Sequence, residues 1–258
     1  MRFATGRIAV TVLVAGSFGW LAAPGASAAE GGDPPSPAQQ AAQSRVMGDK
    51  LAVKASADRL LGRRTPATRP GATTVSAAAA KRFPTTATAW LNPTIFGQQY
   101  NWTCGPASMR NMVYGMTKGS VNHPESWYRK QLGTKNDGNG TDNSWIVREM
   151  NQHFSSYGHW AYYKPTSTQD LLTTVAADVS YRIPQTTYLN VTTRYLPIYR
   201  GQDLKHWMLA FNYHLGKKTI STADPNRYNW DAWGRQWNIP ASKVYNAVHY
   251  SPSRGVVW

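Results

Sequence analysis

The chain has 258 residues, 41% of them hydrophobic and 12% aromatic, enough for one domain of ordinary size with a real core and some accessory segments. Its formal net charge of +15 favours anionic surroundings, but no nucleic-acid-binding motif accompanies the charge, so it is read as the basicity common among exported proteins. The single cysteine, Cys104, excludes a disulfide within the chain.

Residues 1–28 read as a signal peptide. Arg2 and Arg7 make a positive start, an apolar stretch runs from about Ile8 to Ala23, and Ala26-Ser27-Ala28 is a small-residue cleavage site, with cleavage after Ala28 or Ala29. The apolar stretch is broken by Gly16, Ser17 and Gly19 and is too short for a membrane span. Export is therefore expected, with no membrane span left after signal removal. Residues 29–88 are rich in Ala, Pro, Gly, Ser, Thr and Arg, with Phe83 as their one aromatic. Such a composition is poor at offsetting its ordering entropy by apolar burial, so a linker or pro-segment is expected, with a weak helix over roughly Ala42–Leu61.

Residues 89–258 have the character of a folded domain and hold all of the 11 tryptophans except Trp20. Cys104 to Met116 suits a helix: Gly105-Pro106 fits its first turn, and Ala107, Met109, Met112, Val113 and Met116 supply an apolar face. A Gly/Asn/Asp loop spans Lys135–Asn143, and a second helix follows, capped by Asp142 or Asn143 and running to His153. A third runs from about Ser167 to Ser180, opened by a Ser167/Asp170 pairing. Strands are expected at Thr187–Val191, Tyr195–Tyr199, His206–His214 and, after the turn Gly216-Lys217-Lys218, at Thr219–Thr222. Helices first and antiparallel strands later point to an α+β fold.

The stretch Gln98-Gln99-Tyr100-Asn101-Trp102-Thr103-Cys104-Gly105-Pro106 carries the chemistry. A thiol attacks as the thiolate, and a helix start offers free N–H groups and the positive end of the dipole to that anion. A glutamine just upstream can aim its amide at a developing oxyanion beside the cysteine N–H. Of the six histidines, His206 alone opens an apolar strand, a rigid support for a base. Asp224 ends the next strand, and a hairpin returns that end to the neighbourhood of His206; Asn226 and Asp231 are the alternatives for the same place.

The Gln98–Cys104 spacing, Cys104-Gly105-Pro106-Ala107-Ser108, the later His206-Trp207-Met208-Leu209 and Asp224-Pro225 after the hairpin resemble, in this order, the bacteriocin-leader-type cysteine peptidases. The closer likeness is to their stand-alone secreted relatives, the peptidase C-thirty-nine-like domains, over roughly Thr94–Val248. The resemblance implies a papain-like fold, its N-terminal helices packed on an antiparallel sheet. It implies Cys104 as nucleophile, His206 as base and then acid, Asp224 as the residue that orients the histidine, and Gln98 rather than Gln99 as oxyanion donor. The activity implied is hydrolysis of peptide bonds through a thioester, by a secreted monomer that needs no cofactor or metal and has a peptide or protein substrate. A cell-wall peptide hydrolase or amidase, an acyltransferase on the same machinery, and a non-catalytic binding module are the competing readings; the basic charge suits association with anionic wall polymer.

Three other features are read conservatively. Asp137 to Asp142 is similar to a calcium loop but has Asp142 and Arg148 where that loop needs glycine and glutamate, so it is taken as a flexible loop near the cleft. Glu149 and His153 lie one helical turn apart without further ligands. Trp230, Trp233 and Trp237 have the spacing of one helix face and are expected in the core, with a substrate groove as the alternative.

Overall fold

The computed structural model describes residues 37–62, 83–137 and 140–258. The expected signal peptide lies outside the described residues, as do 29–36 and 63–82 of the expected linker.

The framework is an antiparallel sheet. Its strands are β1 (Thr86–Thr88), β2 (Tyr162–Tyr163), β3 (Thr187–Thr192), β4 (Lys205–His214), β5 (Thr219–Asp224), β6 (Gly234–Pro240) and β7 (Val256–Val257). They run in the order β2-β7-β3-β4-β5-β6, and β1 pairs with the far end of β4, Thr86 opposite His214. Helices α2 (Cys104–Met116), α3 (Glu125–Gln131) and α4 (Asn143–His153) belong to one side, α5 (Thr168–Val179) and α6 (Ala241–His249) to the other. Strand alternation feeds both sides. Trp207, Leu209 and Phe211 of β4 join the core with Met109, Met112 and Val113 of α2. Met208 and Ala210 join the core with Leu172 and Val175 of α5 and Val244 and Val248 of α6. With both faces covered, the interior of β4 is buried throughout, which is why its sequence reads as a nearly unbroken apolar run. The architecture is α+β, and Pro37–Trp258 form one compact unit.

Local signals act where they are strongest. The helix expected over Cys104–Met116 has those bounds. Asp142 caps α4 by accepting from Ser144 N–H at 2.7 Å, and Ser167 caps α5 by accepting from Asp170 N–H at 3.1 Å.

Other expectations are corrected. Tyr195–Tyr199 is not a strand but part of two short 3-10 turns, Thr193–Tyr195 and Pro197–Tyr199; Pro197 fixes the backbone at the start of the second and has no N–H for a ladder. Trp230, Trp233 and Trp237 do not share a helix. Turns cover the first two, Gly234 passes through φ +100 to start β6, and Trp237 lies on that edge strand. Trp230 and Trp237 are 79% and 55% exposed, so they are not core.

The largest difference concerns the N-terminal segment. Helix α1 (Pro37–Leu60) packs on α5, on the side of the sheet away from α2. Ala57 is buried there, but much of what the helix inserts is charge. Lys50, fully buried, lies 3.0 Å from Asp178 among the rings of Trp160, Tyr181 and Trp258, close as an ion pair although its alignment falls short of a hydrogen bond. Lys54 reaches Asp170 at 2.8 Å, Asp58 at 3.1 Å and the Thr173 hydroxyl at 2.9 Å. The described part of the expected linker is thus a docked layer, and β1 carries the sheet back beyond residue 89. Among the described residues, no helix is long and apolar enough to cross a membrane.

Candidate active site

Cys104 is the first residue of α2 and is half-buried. The Thr103 side chain does not cap the helix; its hydroxyl bonds the Tyr100 carbonyl at 3.0 Å instead. Pro106 has no N–H, so Cys104 and Gly105 carry the orphan donors of the first turn. Two contacts tie this turn to the sheet, and a third ties the sheet to its neighbour Thr141. Ser108 Oγ donates to the Trp207 carbonyl at 3.0 Å, the Tyr188 hydroxyl donates to the Gly105 carbonyl, and the Trp207 indole donates to the Thr141 carbonyl at 3.1 Å. Gly105 is required by the last neighbour: a Cβ there would lie 2.2 Å from Thr141 Oγ1. Thr141 is therefore seated against the nucleophile's turn, with the Thr141 and Thr134 hydroxyls 2.7 Å apart.

His206 is the second residue of β4, and Asp224 ends β5. Leu209 pairs with Ala223, so both side chains lie at the same end of the hairpin. His206 Nε2 is 2.7 Å from Asp224 Oδ1, and the two residues are 4% and 0% exposed. Cys104 is near enough to the imidazole to favour its charged form; with Nε2 committed to Asp224, Nδ1 is the atom left for sulfur. Burial opposes a charge on His206, but the negative groups at Asp224 and Cys104 outweigh it and push the imidazole up to about 10. Asn226 does not replace Asp224; its backbone N–H donates to Asp224 Oδ1 at 2.8 Å. Asp231 is at the surface, paired with Arg200 at 2.8 Å.

Gln98 is buried and Gln99 exposed, which separates the two candidates. Gln98 N–H donates to the Pro225 carbonyl at 2.8 Å, next to Asp224, so the glutamine loop runs beside the end of β5. Its Nε2 gives one N–H to the Tyr100 carbonyl at 2.9 Å, in the turn that delivers Cys104, and has a second N–H to give; its Oε1 is buried without a partner. The loop is clamped by Glu125, a residue the sequence did not single out. Both carboxylate oxygens accept from Gln99 N–H, at 3.1 and 2.9 Å. Burial raises the Glu125 carboxyl above its usual range. From outside, the Tyr228 hydroxyl donates to the Gln99 carbonyl at 2.6 Å.

The remaining histidines are engaged elsewhere. His123 stacks on Trp127, His153 lies 3.3 Å from Glu149, His214 accepts from Lys217 N–H, and His249 is within reach of the Tyr245 hydroxyl. Burial and the nearby Lys50 lower His159, which sits beneath α1's side of the domain. The half of the calcium-like loop that is described uses Asp142 as a helix cap and Thr141 as the seat for Gly105.

Among the residues chosen from sequence, His206 and Asp224 are bonded to each other, Cys104 acts on the imidazole, and Gln98 is bonded to Pro225 and Tyr100, next in the chain to Asp224 and shortly before Cys104. Gln98 and Cys104 bracket a tight loop, and His206 and Asp224 arrive from adjacent strand ends. Buried polar residues converging with a half-exposed thiol can generate a thiolate beside an imidazolium and offer N–H groups to a developing oxyanion. Glu125 and Tyr199, which touches Asp224, had no local signal: neither lies in a motif, and each acts through a partner distant in the chain. No family model and no curated protein matches this chain.

Proposed function

We propose that this protein is an exported cysteine peptidase of papain-like fold that cleaves peptide bonds through Cys104. The observation that carries the reading is the buried His206–Asp224 pair at 2.7 Å, with a cysteine at a helix start near enough to favour the imidazole's charged form. Its support also includes the resemblance of the Gln98–Cys104, His206-Trp207 and Asp224-Pro225 segments to the bacteriocin-leader-type peptidases.

The chemistry follows from the atoms present. The Cys104 thiolate attacks a substrate carbonyl carbon, and the C=O electron pair moves onto oxygen. The Cys104 N–H and the second N–H of Gln98 are the donors for that oxyanion. His206, protonated on Nδ1, gives its proton to the leaving amine as the C–N bond breaks, and a thioester remains. Water then attacks the thioester, His206 accepts its proton, and the acid product leaves with the thiolate restored. Asp224 holds the imidazole in orientation and stabilises its cationic form.

The first test is labelling of purified protein with iodoacetamide near neutral pH, read by intact mass. Native labelling well above the rate of the unfolded chain, lost in His206→Ala, is expected. Equal rates in native, variant and unfolded protein refute an activated thiol. Digestion of casein against purified cell wall then separates a general peptidase from a wall peptide hydrolase, for which the +15 charge is the supporting feature.

A further inference from the structure

Asp224 is 0% exposed, so both of its oxygens depend on protein donors. Oδ1 receives His206 Nε2 at 2.7 Å and the Asn226 backbone N–H at 2.8 Å. Oδ2 lies 2.8 Å from the hydroxyl of Tyr199, a residue 1% exposed in the 3-10 turn that precedes β4. The direction of that bond is determined. Asn226 Nδ2 lies 3.2 Å from the same hydroxyl and can only donate, so the tyrosine oxygen accepts from Asn226 and its own proton goes to Asp224. Burial first, and then the adjacent Asp224, push the Tyr199 phenol far above its usual range, so it remains a donor wherever the protein is folded. The Tyr199 ring also lies 6.1 Å from the His206 ring, tilted beside it.

We infer that Tyr199, oriented by Asn226, is a positioning residue for the Cys104–His206–Asp224 site, supplying, among the described residues, the one donor to the Asp224 oxygen that His206 does not touch. The inference rests on the cysteine-nucleophile reading above. Titratable groups converge here from each packed element: Cys104 from α2, His206 from β4, Asp224 from β5 and Tyr199 from the turn. Together, thiolate, imidazolium and carboxylate carry one net negative charge. A donor into this network favours its deprotonated state; without that donor the network takes up a proton at higher pH.

The experiment is the iodoacetamide rate of the full chain from pH 4.5 to 9, for wild type, Tyr199→Phe and Asn226→Ala, with thermal melts of each. Phenylalanine keeps the ring and its packing and deletes only the hydroxyl. Tyr199→Phe is expected to move the acid limb of the profile upward, slowing labelling at pH 5 by roughly tenfold while the alkaline plateau stays within about twofold. Asn226→Ala, which frees the tyrosine proton to turn away, is expected to shift the limb the same way by less. A merely structural role would slow labelling equally at every pH. If Tyr199→Phe does not melt cooperatively, the Asn226→Ala profile decides the question. An activated wild type with the acid limb unmoved in the folded variant overturns the assignment alone. A wild-type profile identical to that of the unfolded chain overturns the cysteine-nucleophile reading and the assignment with it.

Discussion

Replacing Lys50 with alanine removes the one cation paired to Asp178 among the described residues, where Asp178 is a carboxylate that water does not reach. Asp178 keeps its hydrogen bond from the Thr187 hydroxyl at 2.7 Å but loses its counter-charge, and three aromatic rings lose their cation. Breaking one side of a buried ion pair costs about 3–5 kcal/mol. For a domain of this size that is a fall of roughly 6–20 °C in melting temperature. The pH dependence has a definite sign. Burial raises Asp178 above its unfolded value, and without Lys50 only the Thr187 hydrogen bond is left to offset that rise. A carboxyl with a raised folded value destabilises the fold when ionised, so the Lys50→Ala deficit is expected to be largest near pH 8 and to shrink as pH falls toward 4.5. Melting by circular dichroism at both pH values measures this. In Lys50→Met with Asp178→Leu, both charges are gone and the volume is kept, so most of the loss is expected to be recovered. A melting temperature for Lys50→Ala within about 2 °C of wild type would refute the claim that α1 is an integral layer of the domain.

Three further outcomes are expected at the site. Gly105→Ala places a methyl group 2.2 Å from Thr141 Oγ1, so a loss of about 1–3 kcal/mol and slower Cys104 labelling are expected, with partial recovery on adding Thr141→Gly; unchanged melting and labelling would show that the loop gives way freely. Gln98→Ala is expected to lower kcat on a peptide substrate by roughly 10²–10³ while leaving iodoacetamide labelling nearly unchanged, because alkylation forms no oxyanion; Gln99→Ala, at an exposed position, is expected to change neither by more than about twofold. In Asp224→Asn the side-chain shape is kept, but the charge that holds His206 up to about 10 is lost, and with it the acceptor for the Tyr199 hydroxyl. Its labelling rate at neutral pH is therefore expected to fall at least tenfold, and an unchanged rate would mean that orientation alone is what Asp224 provides.

The parts of this protein that were legible in its residues are those whose cause is local. An apolar period after Gly105-Pro106 defines α2, the Asp142 and Ser167 side chains start α4 and α5, and Gly216 to Lys218 turns β4 into β5. A hairpin brings its two open ends together whatever else the chain does, so the approach of Asp224 to His206 was readable from topology. The meeting of Cys104 with that pair was legible only through the order of motifs. Tertiary structure decided the rest because the determinants are distant or ambiguous in sequence. The docking of helix α1 was not legible, since Asp178 and Asp170, the acids on α5 that receive Lys50 and Lys54, lie more than a hundred residues away. Trp230, Trp233 and Trp237 satisfy a helical spacing, and only the folded chain shows turns at the first two and, where β6 pairs with β5, an extended strand at the third. Glu125 and Tyr199 belong to no local pattern; each acquires its role from one buried contact, Glu125 on the Gln99 backbone and Tyr199 on Asp224, and such a contact exists only once the elements have packed.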